Sequence, residues 1–350
     1  MIIDNVLIVD PIDGEFTGSI EFEDKILSIR RYDCTPKYVL MPGFADTHTH
    51  GYMGIDCMQS TKEEFKQWAD LVEKEGVTYL FPTTVSADFK MLEEVIKRFS
   101  LAEHPLLFYL HLEGPFINKE RAGAQNKEYI TDFNEKIIDL EKVKIITVAP
   151  EIQGFFELLK ILKENKVTVS IGHSNATFDI FKKAYEAGVN RITHFPNALP
   201  QLHHREIGIV GGVFLYKPFV EIIPDLIHLS QDFLRLVYKL LGPDRIILVT
   251  DSISATGLKD GIYDLGGLLV KVKDGIARLE DGTLAGSTLK YSDGLRNFKK
   301  VTNCSLKDLS KVSSYNALRS IGIDGGRIKE GYPAKFVLLN QDLQIIKVYS

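Results

Sequence analysis

The middle of the chain alternates between short apolar runs and longer segments whose apolar residues recur with helical spacing. Helical spacing occurs at 62–74, 155–163, 176–187 and 231–240. Repeated strand–helix units form parallel sheet with right-handed crossovers, and eight units favour closure into a barrel. The pattern therefore predicts an α/β fold, a (β/α)8 barrel of the TIM type, with an open doubly wound sheet as the alternative. The apolar runs end near His50, Thr84, Glu113, Pro150, His173, His194, His228 and Asp251.

The two ends of the chain have a different pattern, with short strand-like runs joined by turns. One such turn is Asp13-Gly14, a hairpin signal, and the last strand-like runs are 336–339 and 345–348. Isolated strands bury too little surface to fold alone. We therefore predict a small β-sandwich domain made from residues 1–42 and 329–350, with the barrel at 43–328. A further alternating hairpin, near 262–283, is expected to join this terminal domain.

Composition and charge exclude several classes of protein. Hydrophobic residues make up 45% and charged residues 25% of the 350 positions, as in a globular protein with a large core. The net charge of -5 provides no basic field, so no nucleic-acid partner is expected. Cys34, Cys57 and Cys304 lack CxxC spacing, which favours a reducing compartment over a disulfide framework. No signal-peptide pattern and no apolar stretch of ~20 residues is present, so we predict a cytoplasmic protein without a membrane partner.

Residues that bind metals lie at the predicted strand ends. His48 and His50 are two residues apart after the first run, and strand alternation directs them to the same side. Glu113, His173 and His194 end later runs, and in a parallel barrel all these ends meet at the face that carries active sites. Each histidine alone is more often structural, but together Glu113, His173 and His194 supply the three ligands of a catalytic zinc-type site. His48 and His50 are candidates for a second metal.

Three further residues are candidates for catalysis and substrate binding. Asp251 ends the last run, where it is either a general base beside the metal or a helix N-cap. His228 is a candidate for polarising a substrate carbonyl. Arg205 lies in a compact cationic segment at 202–206, which is either a solvated loop or a fork for a phosphate or carboxylate. The whole pattern indicates a metal-dependent hydrolase with zinc as the first candidate and iron, cobalt or manganese as alternatives.

Several motifs, in order along most of the chain, resemble those of a known family. With these residues the chain resembles the amidohydrolase superfamily and, within it, the N-acetylglucosamine-6-phosphate deacetylases. The resemblance implies a barrel with a terminal β-sandwich, hydrolysis of the N-acetyl group of an amino-sugar phosphate, and a homodimer. The motifs are Pro42-Gly43-Phe44, His48-Thr49-His50, His111-Leu112-Glu113-Gly114-Pro115-Phe116, Gly172-His173-Ser174, Thr193-His194-Phe195-Pro196-Asn197-Ala198, His203-His204-Arg205-Glu206, Val249-Thr250-Asp251 and Leu284-Ala285-Gly286-Ser287.

The resemblance also implies roles for individual residues. Glu113, His173 and His194 would hold the main metal, Asp251 would be the acid/base and also a metal ligand, and Arg205 would reach into a neighbouring subunit's site. The position after Ala124 is often histidine in the family, whereas Gln125 carries no charge but can donate a hydrogen bond. The residues expected to contact the sugar phosphate are Ala124, Gln125, Asn197, Ala198, Arg205, Asp225, His228, Leu284, Ala285 and Gly286.

Three alternative functions stay open from the sequence. The first is deacetylation of a related amino sugar such as N-acetylgalactosamine 6-phosphate. The second is hydrolysis of cyclic amides or dipeptides, but those relatives use a carboxylated lysine at the end of strand four, where this chain has Val148-Ala149-Pro150-Glu151. The third is a sugar-phosphate-binding regulator on an inactive scaffold, and the intact set of candidate ligands and Asp251 argues against it.

Overall fold

The computed structural model describes residues 1–350, and its central feature is a sheet of eight parallel strands. Hydrogen bonds between residues at or just beyond the carboxyl ends of the first and last strands close the sheet into a barrel. Asp251 N–H donates to the His48 carbonyl at 2.8 Å, and His50 N–H donates to the Ser252 carbonyl at 2.7 Å. The predicted barrel is confirmed. Its strands are Phe44–Thr49, Val77–Thr84, Leu110–Glu113, Val143–Val148, Thr168–Ile171, Arg191–Ile192, Phe219–Ile222 and Ile246–Leu248.

Helices cover the outside of the barrel, and their starts are encoded locally. Thr61 accepts a hydrogen bond from Glu64 N–H while the Glu64 carboxylate accepts one from Thr61 N–H, a capping box. The strands beneath are enclosed: Val77–Thr84 is buried at every position, as parallel strands covered on both faces are. The α-helices are Lys62–Glu73, Phe89–Ser100, Phe155–Glu164, Phe178–Glu186, Gly208–Tyr216, Gln231–Leu241, Tyr291–Thr302, Leu306–Ser310 and Asn316–Ser320, with 3-10 turns at Lys119–Arg121 and Pro243–Arg245 and a π-helical turn at Lys311–Tyr315.

Strands from both termini form a second sheet. Val6, Ile8 and Leu40 belong to its own apolar cluster, whereas Val39 and Met41 on the opposite side pack into the main core that includes the barrel. The small β domain built from both termini is thus confirmed, and its six strands form one hydrogen-bonded sheet. In spatial order they are Ile345–Tyr349, Phe336–Leu339, Tyr38–Pro42, Ile2–Asp10, Gly14–Phe22 and Ile26–Arg31. The domain boundaries at 42/43 and 328/329 remain a prediction.

The predicted insertion near 262–283 forms a three-stranded sheet of its own, from strands Gly261–Leu265, Leu268–Lys273 and Ile276–Arg278. It does not pair with the terminal strands, so the expectation that it joins them is wrong. Val270 and Val272 face the main core, and the Gln59 amide donates to Asp264 at 3.0 Å. These contacts hold the insertion against the barrel. A two-stranded ladder, Gly51–Tyr52 with Ile55–Asp56, lies just after the first barrel strand.

The sequence pattern predicts that the seventh barrel strand ends near His228. In the structure this strand ends earlier, at Ile222. Pro224 has no N–H with which to continue the sheet. The Asp225 carboxylate then accepts hydrogen bonds from the N–H groups of Ile227 and His228, both at 2.9 Å, which folds the segment into a turn. His228 therefore lies on a loop.

None of the helices combines the length and the apolar character that a membrane-spanning helix requires.

Candidate active site

One group of candidate metal ligands consists of Glu113, His173 and His194. Glu113 is the last residue of the third barrel strand, and the two histidines lie two residues beyond the fifth and sixth strands. Oε1 of Glu113 is 3.1 Å from Nε2 of His173 and 2.9 Å from Nε2 of His194. The two Nε2 atoms are themselves 3.0 Å apart. Three donor atoms from three strands therefore converge on one point, as the sequence predicts.

A second group shares Glu113 and adds His48 and His50. Their Nε2 atoms are 3.3 Å apart, so both rings point to one side of the chain, as alternation along a strand predicts. Nε2 of His50 lies 3.3 Å from Oε2 of Glu113 and 3.2 Å from Oδ1 of Asp251. Nε2 of His48 lies 3.4 Å from Asp251 Oδ1. Glu113 thus stands between the two groups, and Asp251 borders the second.

The hydrogen bonds made by the other ring nitrogens direct lone pairs into this cluster. Nδ1 of His173 is 2.8 Å from the Arg121 carbonyl, and Nδ1 of His50 is 3.0 Å from the Thr83 carbonyl. A carbonyl only accepts, so each Nδ1 carries the proton and a neutral ring leaves Nε2 with its lone pair towards the Glu113 carboxylate. Converging lone pairs repel one another, and a divalent cation would satisfy all of them. The donor set therefore fits a metal ion.

A proton is the other cation that this arrangement attracts. Burial alone would lower the pKa of His50, but its hydrogen bonds to Asp251 and Glu113 outweigh burial and raise the pKa to about 9. Burial would likewise raise the pKa of Glu113, but His48 and His173 outweigh it and lower the pKa well below its usual range. Glu113 is therefore an ionised ligand, and a metal must compete with protons for the histidines.

A buried ion pair lies beneath the cluster and was not predicted from the sequence. Oε2 of Glu221 is 2.9 Å from Nδ1 of His48 and accepts the His194 N–H at 3.2 Å. Arg191 donates to Oε1 of the same carboxylate at 2.7 Å and to the Thr47 hydroxyl at 2.6 Å. Burial would raise the pKa of Glu221, but Arg191 and His48 outweigh burial and lower it. One ionised carboxylate therefore orients ligands of both groups. In sequence Glu221 is an isolated charge inside an apolar run, which is the one signal that could have revealed it.

Three of the candidate metal-binding and catalytic residues have left-handed backbone conformations that are uncommon for residues other than glycine. The φ angles are 48° at His173, 29° at His194 and 50° at Asp251. Such strain costs about 1–3 kcal/mol per residue and is concentrated at functional sites. At Asp251 the conformation is enforced on both sides, because its N–H donates to the His48 carbonyl and its own carbonyl accepts the Ser287 N–H at 2.7 Å. A Cβ on Gly286 would lie 2.9 Å from the Asp251 carbonyl oxygen, so this neighbour must be glycine.

An open cavity of about 330 Å³ lies over the two ligand groups. Burial would raise the pKa of Asp251 at its floor, but His48 and His50 outweigh burial and lower it, which keeps the carboxylate ionised. The cavity is lined by His50, Glu113, Glu120, Arg121, Gly123, Ala124, Gln125, His173, His194, Asn197, Ala198, His228, Asp251, Leu265, Thr283, Leu284 and Gly286. Most of the predicted site residues are therefore brought together, and the lining adds Glu120, Arg121, Gly123, Leu265 and Thr283, which the sequence did not reveal.

Three of the predicted substrate-binding residues do not line this cavity. Arg205 lies on an exposed loop, with its guanidinium 3.0 Å from His204 Nε2. Ala285 is buried behind the wall, where its N–H donates to the Ala277 carbonyl. Asp225 stands behind His228, with Oδ2 2.6 Å from His228 Nδ1. Burial would lower the pKa of His228, but the Asp225 carboxylate outweighs burial and raises it.

Gln125 lines the cavity and also contacts a candidate ligand directly. Its side-chain NH₂ donates to Oε2 of Glu113 at 2.6 Å, and its side-chain oxygen accepts the Ser86 N–H at 2.6 Å. The sequence predicts that Gln125 contacts the substrate, and the structure shows that it also donates a hydrogen bond to Glu113.

The fold and the site together define a class. Eight parallel strands carry histidines and a glutamate at their carboxyl ends, arranged around an ionised aspartate, as in barrel enzymes that hydrolyse bonds with a metal ion. Residues 39–350 match the model of the amidohydrolase family. The chain belongs to this metal-dependent family.

Several proteins that are similar to this chain are named as deacetylases of N-acetylated amino-sugar 6-phosphates. An N-acetylglucosamine-6-phosphate deacetylase of Lysinibacillus sphaericus is 38% identical over 317 residues, covering 87% of this chain and 82% of the relative. An N-acetylgalactosamine-6-phosphate deacetylase of Escherichia coli O157:H7 is 30% identical, covering 89% of this chain and 86% of the relative. The crystal structure of an N-acetylglucosamine-6-phosphate deacetylase from Thermotoga maritima matches with a TM-score of 0.96 and 48% identity over 100% of this chain and 98% of that one.

Proposed function

We propose that this chain hydrolyses the N-acetyl group of N-acetylglucosamine 6-phosphate, giving glucosamine 6-phosphate and acetate. The observation that carries the proposal is the placement of the ionised Asp251 carboxylate 3.2 Å from His50, beside two groups of metal ligands that share Glu113, on the floor of an open cavity. This set of ligands and a base is suited to amide hydrolysis. The names of the similar proteins supply the substrate class.

Glu113, His173 and His194 would hold the catalytic metal, for which we propose zinc, and His48 and His50 with Glu113 would hold a second ion. The metal, when bound, polarises the acyl carbonyl and lowers the pKa of water at the site. Glu221 contributes by fixing the ring of His48 and the backbone of His194. The chain thereby holds these ligands in place before the metal arrives.

Asp251 would be the base. Its carboxylate is ionised, which allows it to take the proton of the attacking water and then deliver it to the leaving amine nitrogen. Its left-handed backbone, with the contact to Gly286, keeps the carboxylate directed towards the cluster.

His228 would donate a hydrogen bond to the acyl oxygen. Since Asp225 Oδ2 occupies Nδ1 at 2.6 Å, Nε2 of His228 can donate only when the ring is charged. The Asp225 carboxylate raises the pKa of His228 and so favours that charged form. A charged His228 would then stabilise the negative charge that develops on the acyl oxygen during attack.

The phosphate group would be bound by cations from two sources. Arg121 lines the cavity of its own chain, where its Nε donates to the Asn175 side-chain oxygen at 2.5 Å. Arg205 is exposed and outside that cavity, which agrees with a role in the site of a second copy, so we propose a homodimer.

We also propose a cytoplasmic location, with which the three unpaired cysteines agree.

N-acetylgalactosamine 6-phosphate is a second candidate substrate, because the relative from Escherichia coli O157:H7 is named for it. An assay of acetate release with both epimers, each with and without the 6-phosphate, tests the proposal. We expect the highest kcat/KM for N-acetylglucosamine 6-phosphate. A higher value for the galactose epimer would assign the chain to the second candidate, and no acetate release from any of the four would exclude deacetylation.

A further inference from the structure

The side chain of Gln125 has only one orientation that its surroundings allow. Its oxygen faces the Ser86 N–H at 2.6 Å, and a backbone N–H only donates. Its nitrogen faces Oε2 of Glu113 at 2.6 Å, and an ionised carboxylate only accepts. Exchanging the amide oxygen and nitrogen would break both contacts at once. Gln125 therefore bridges the backbone of one segment to the central candidate ligand.

This bridge fixes how the two oxygens of Glu113 are used. Oε1 faces His173 and His194, at 3.1 and 2.9 Å, whereas Oε2 faces His50 at 3.3 Å and receives the Gln125 hydrogen bond. Rotating the carboxylate would remove Oε1 from the first group and break the bond to Gln125. Gln125 is also 5% exposed, so water does not compete strongly for the same oxygen.

We propose that Gln125 is a positioning residue that fixes the carboxylate of Glu113 and thereby sets the affinity of the site for its divalent metal. The inference rests on the proposed function in so far as it takes the metal as bound by Glu113. Partners that orient a ligating carboxylate typically contribute 10- to 100-fold to metal affinity or activity. Gln125 acts through Glu113, and its neutral amide provides a hydrogen bond without adding a charge to compete with the metal.

A rival role for Gln125 is contact with the substrate alone, since it also lines the cavity. The two roles differ in one measurable respect. A residue that only contacts substrate changes KM and leaves metal affinity unaltered, whereas a positioning residue changes metal affinity with no substrate present.

The test is competition for Zn²⁺ between a chromogenic chelator and the full-length protein, without substrate. Gln125→Met keeps the length and removes the amide, and we expect its Zn²⁺ affinity to fall 10- to 100-fold. Gln125→Asn keeps an amide that is too short to reach both Ser86 and Glu113, so we expect a loss in the same direction. Lys127→Ala, an exposed change in the same loop, serves as the matched control and should leave the affinity unchanged.

A second readout reports on the ligand geometry itself. The visible absorption spectrum of the Co²⁺-substituted protein should differ between Gln125→Met and the parent, and match the parent for Lys127→Ala. Thermal unfolding of the metal-free proteins shows whether each variant folds; if Gln125→Met does not, Gln125→Asn decides. Parent-like Zn²⁺ affinity in a folded Gln125 variant would overturn the inference. The Zn²⁺ measurement uses no substrate, so its result does not depend on whether the protein deacetylates. A failure of the proposed role of Gln125 can therefore be distinguished from a failure of the proposed function.

Discussion

The imidazole of His228 and the carboxylate of Asp225 form a hydrogen bond of 2.6 Å between Nδ1 and Oδ2, and this bond determines what His228 can do in the cavity. With Nδ1 committed to Asp225, Nε2 donates only from the charged ring. Burial opposes the charge and the Asp225 carboxylate outweighs burial, so the pKa of His228 is raised.

Asp225→Asn should therefore shift the pH dependence of activity in a defined direction. Without the carboxylate the pKa of His228 falls, the ring loses its charge at a lower pH, and the alkaline limb of kcat/KM moves to lower pH. Profiles of kcat/KM against pH for parent and variant, with metal content verified, measure this shift. An alkaline limb at the same pH in both proteins would show that a charged His228 is not required.

Asp251→Asn should retain substrate binding and lower kcat by at least ~10²-fold, the lower end of general acid–base contributions. The amide preserves the shape of the side chain but cannot accept the proton of the attacking water. Steady-state kinetics on protein of known metal content provide the measurement. If kcat stays within a few-fold of the parent at equal metal content, another residue is the base.

Arg205→Ala should weaken activity on the phosphorylated sugar selectively. Loss of a charged fork costs about 1.5–3 kcal/mol, which is roughly 10- to 150-fold in kcat/KM, and the sugar without phosphate should lose little. Arg30→Ala, an exposed change on the terminal sheet, is the control. Because Arg205 lies outside the cavity of its own chain, the effect should be seen only in a dimer. An equal loss on both sugars would remove Arg205 from phosphate recognition.

Lys335 should make folding stability depend on pH in the alkaline range. Burial lowers its pKa from 10.5 to about 8, and its Nζ donates to the Pro105 carbonyl at 3.0 Å. Between those two pH values the unfolded chain binds more protons at this residue than the folded one, so its contribution makes the folded state more stable as pH rises.

The measurement is the unfolding free energy in denaturant of metal-free parent and Lys335→Met at several values between pH 8 and 10.5. We expect the difference in unfolding free energy between parent and variant to change across this range in favour of the parent at higher pH. Lys273→Met, at an exposed position, should show no such change. A constant difference between parent and Lys335→Met would contradict the prediction.

The sequence was most informative where the chain's local pattern and its chemistry coincide. Glu113, His173 and His194 follow apolar runs directly, so the geometry of a parallel barrel was enough to bring them together. The predicted end of the seventh strand differs from the structure because the apolar residues around His228 belong to a turn set by Pro224 and Asp225. Residue types alone do not separate a short buried strand from an apolar loop.

Contacts between distant segments could not be predicted from the sequence. The bond from Gln125 to Glu113 depends on where Ser86 N–H lies, and that position is known only once the second and third strands are packed. The same holds for Glu221, whose charge stands alone in its strand and is explained by Arg191 and His48 from other strands. The sequence predicts the hairpin of the insertion but not the sheet beside it, because an alternating pattern specifies a hairpin without specifying its neighbour.

Acetate release by this protein should depend on a metal ion held by Glu113. The decisive measurement follows ¹³C-labelled acetate from acetyl-labelled N-acetylglucosamine 6-phosphate by NMR, with chelator-treated and Zn²⁺-reconstituted protein and with Glu113→Ala. We predict release by the reconstituted parent alone, and a Glu113→Ala protein that is folded, has lost most of its bound metal and is inactive. Release that persists after the metal is removed, or full metal occupancy in Glu113→Ala, would contradict a metal-dependent deacetylase with Glu113 as a ligand.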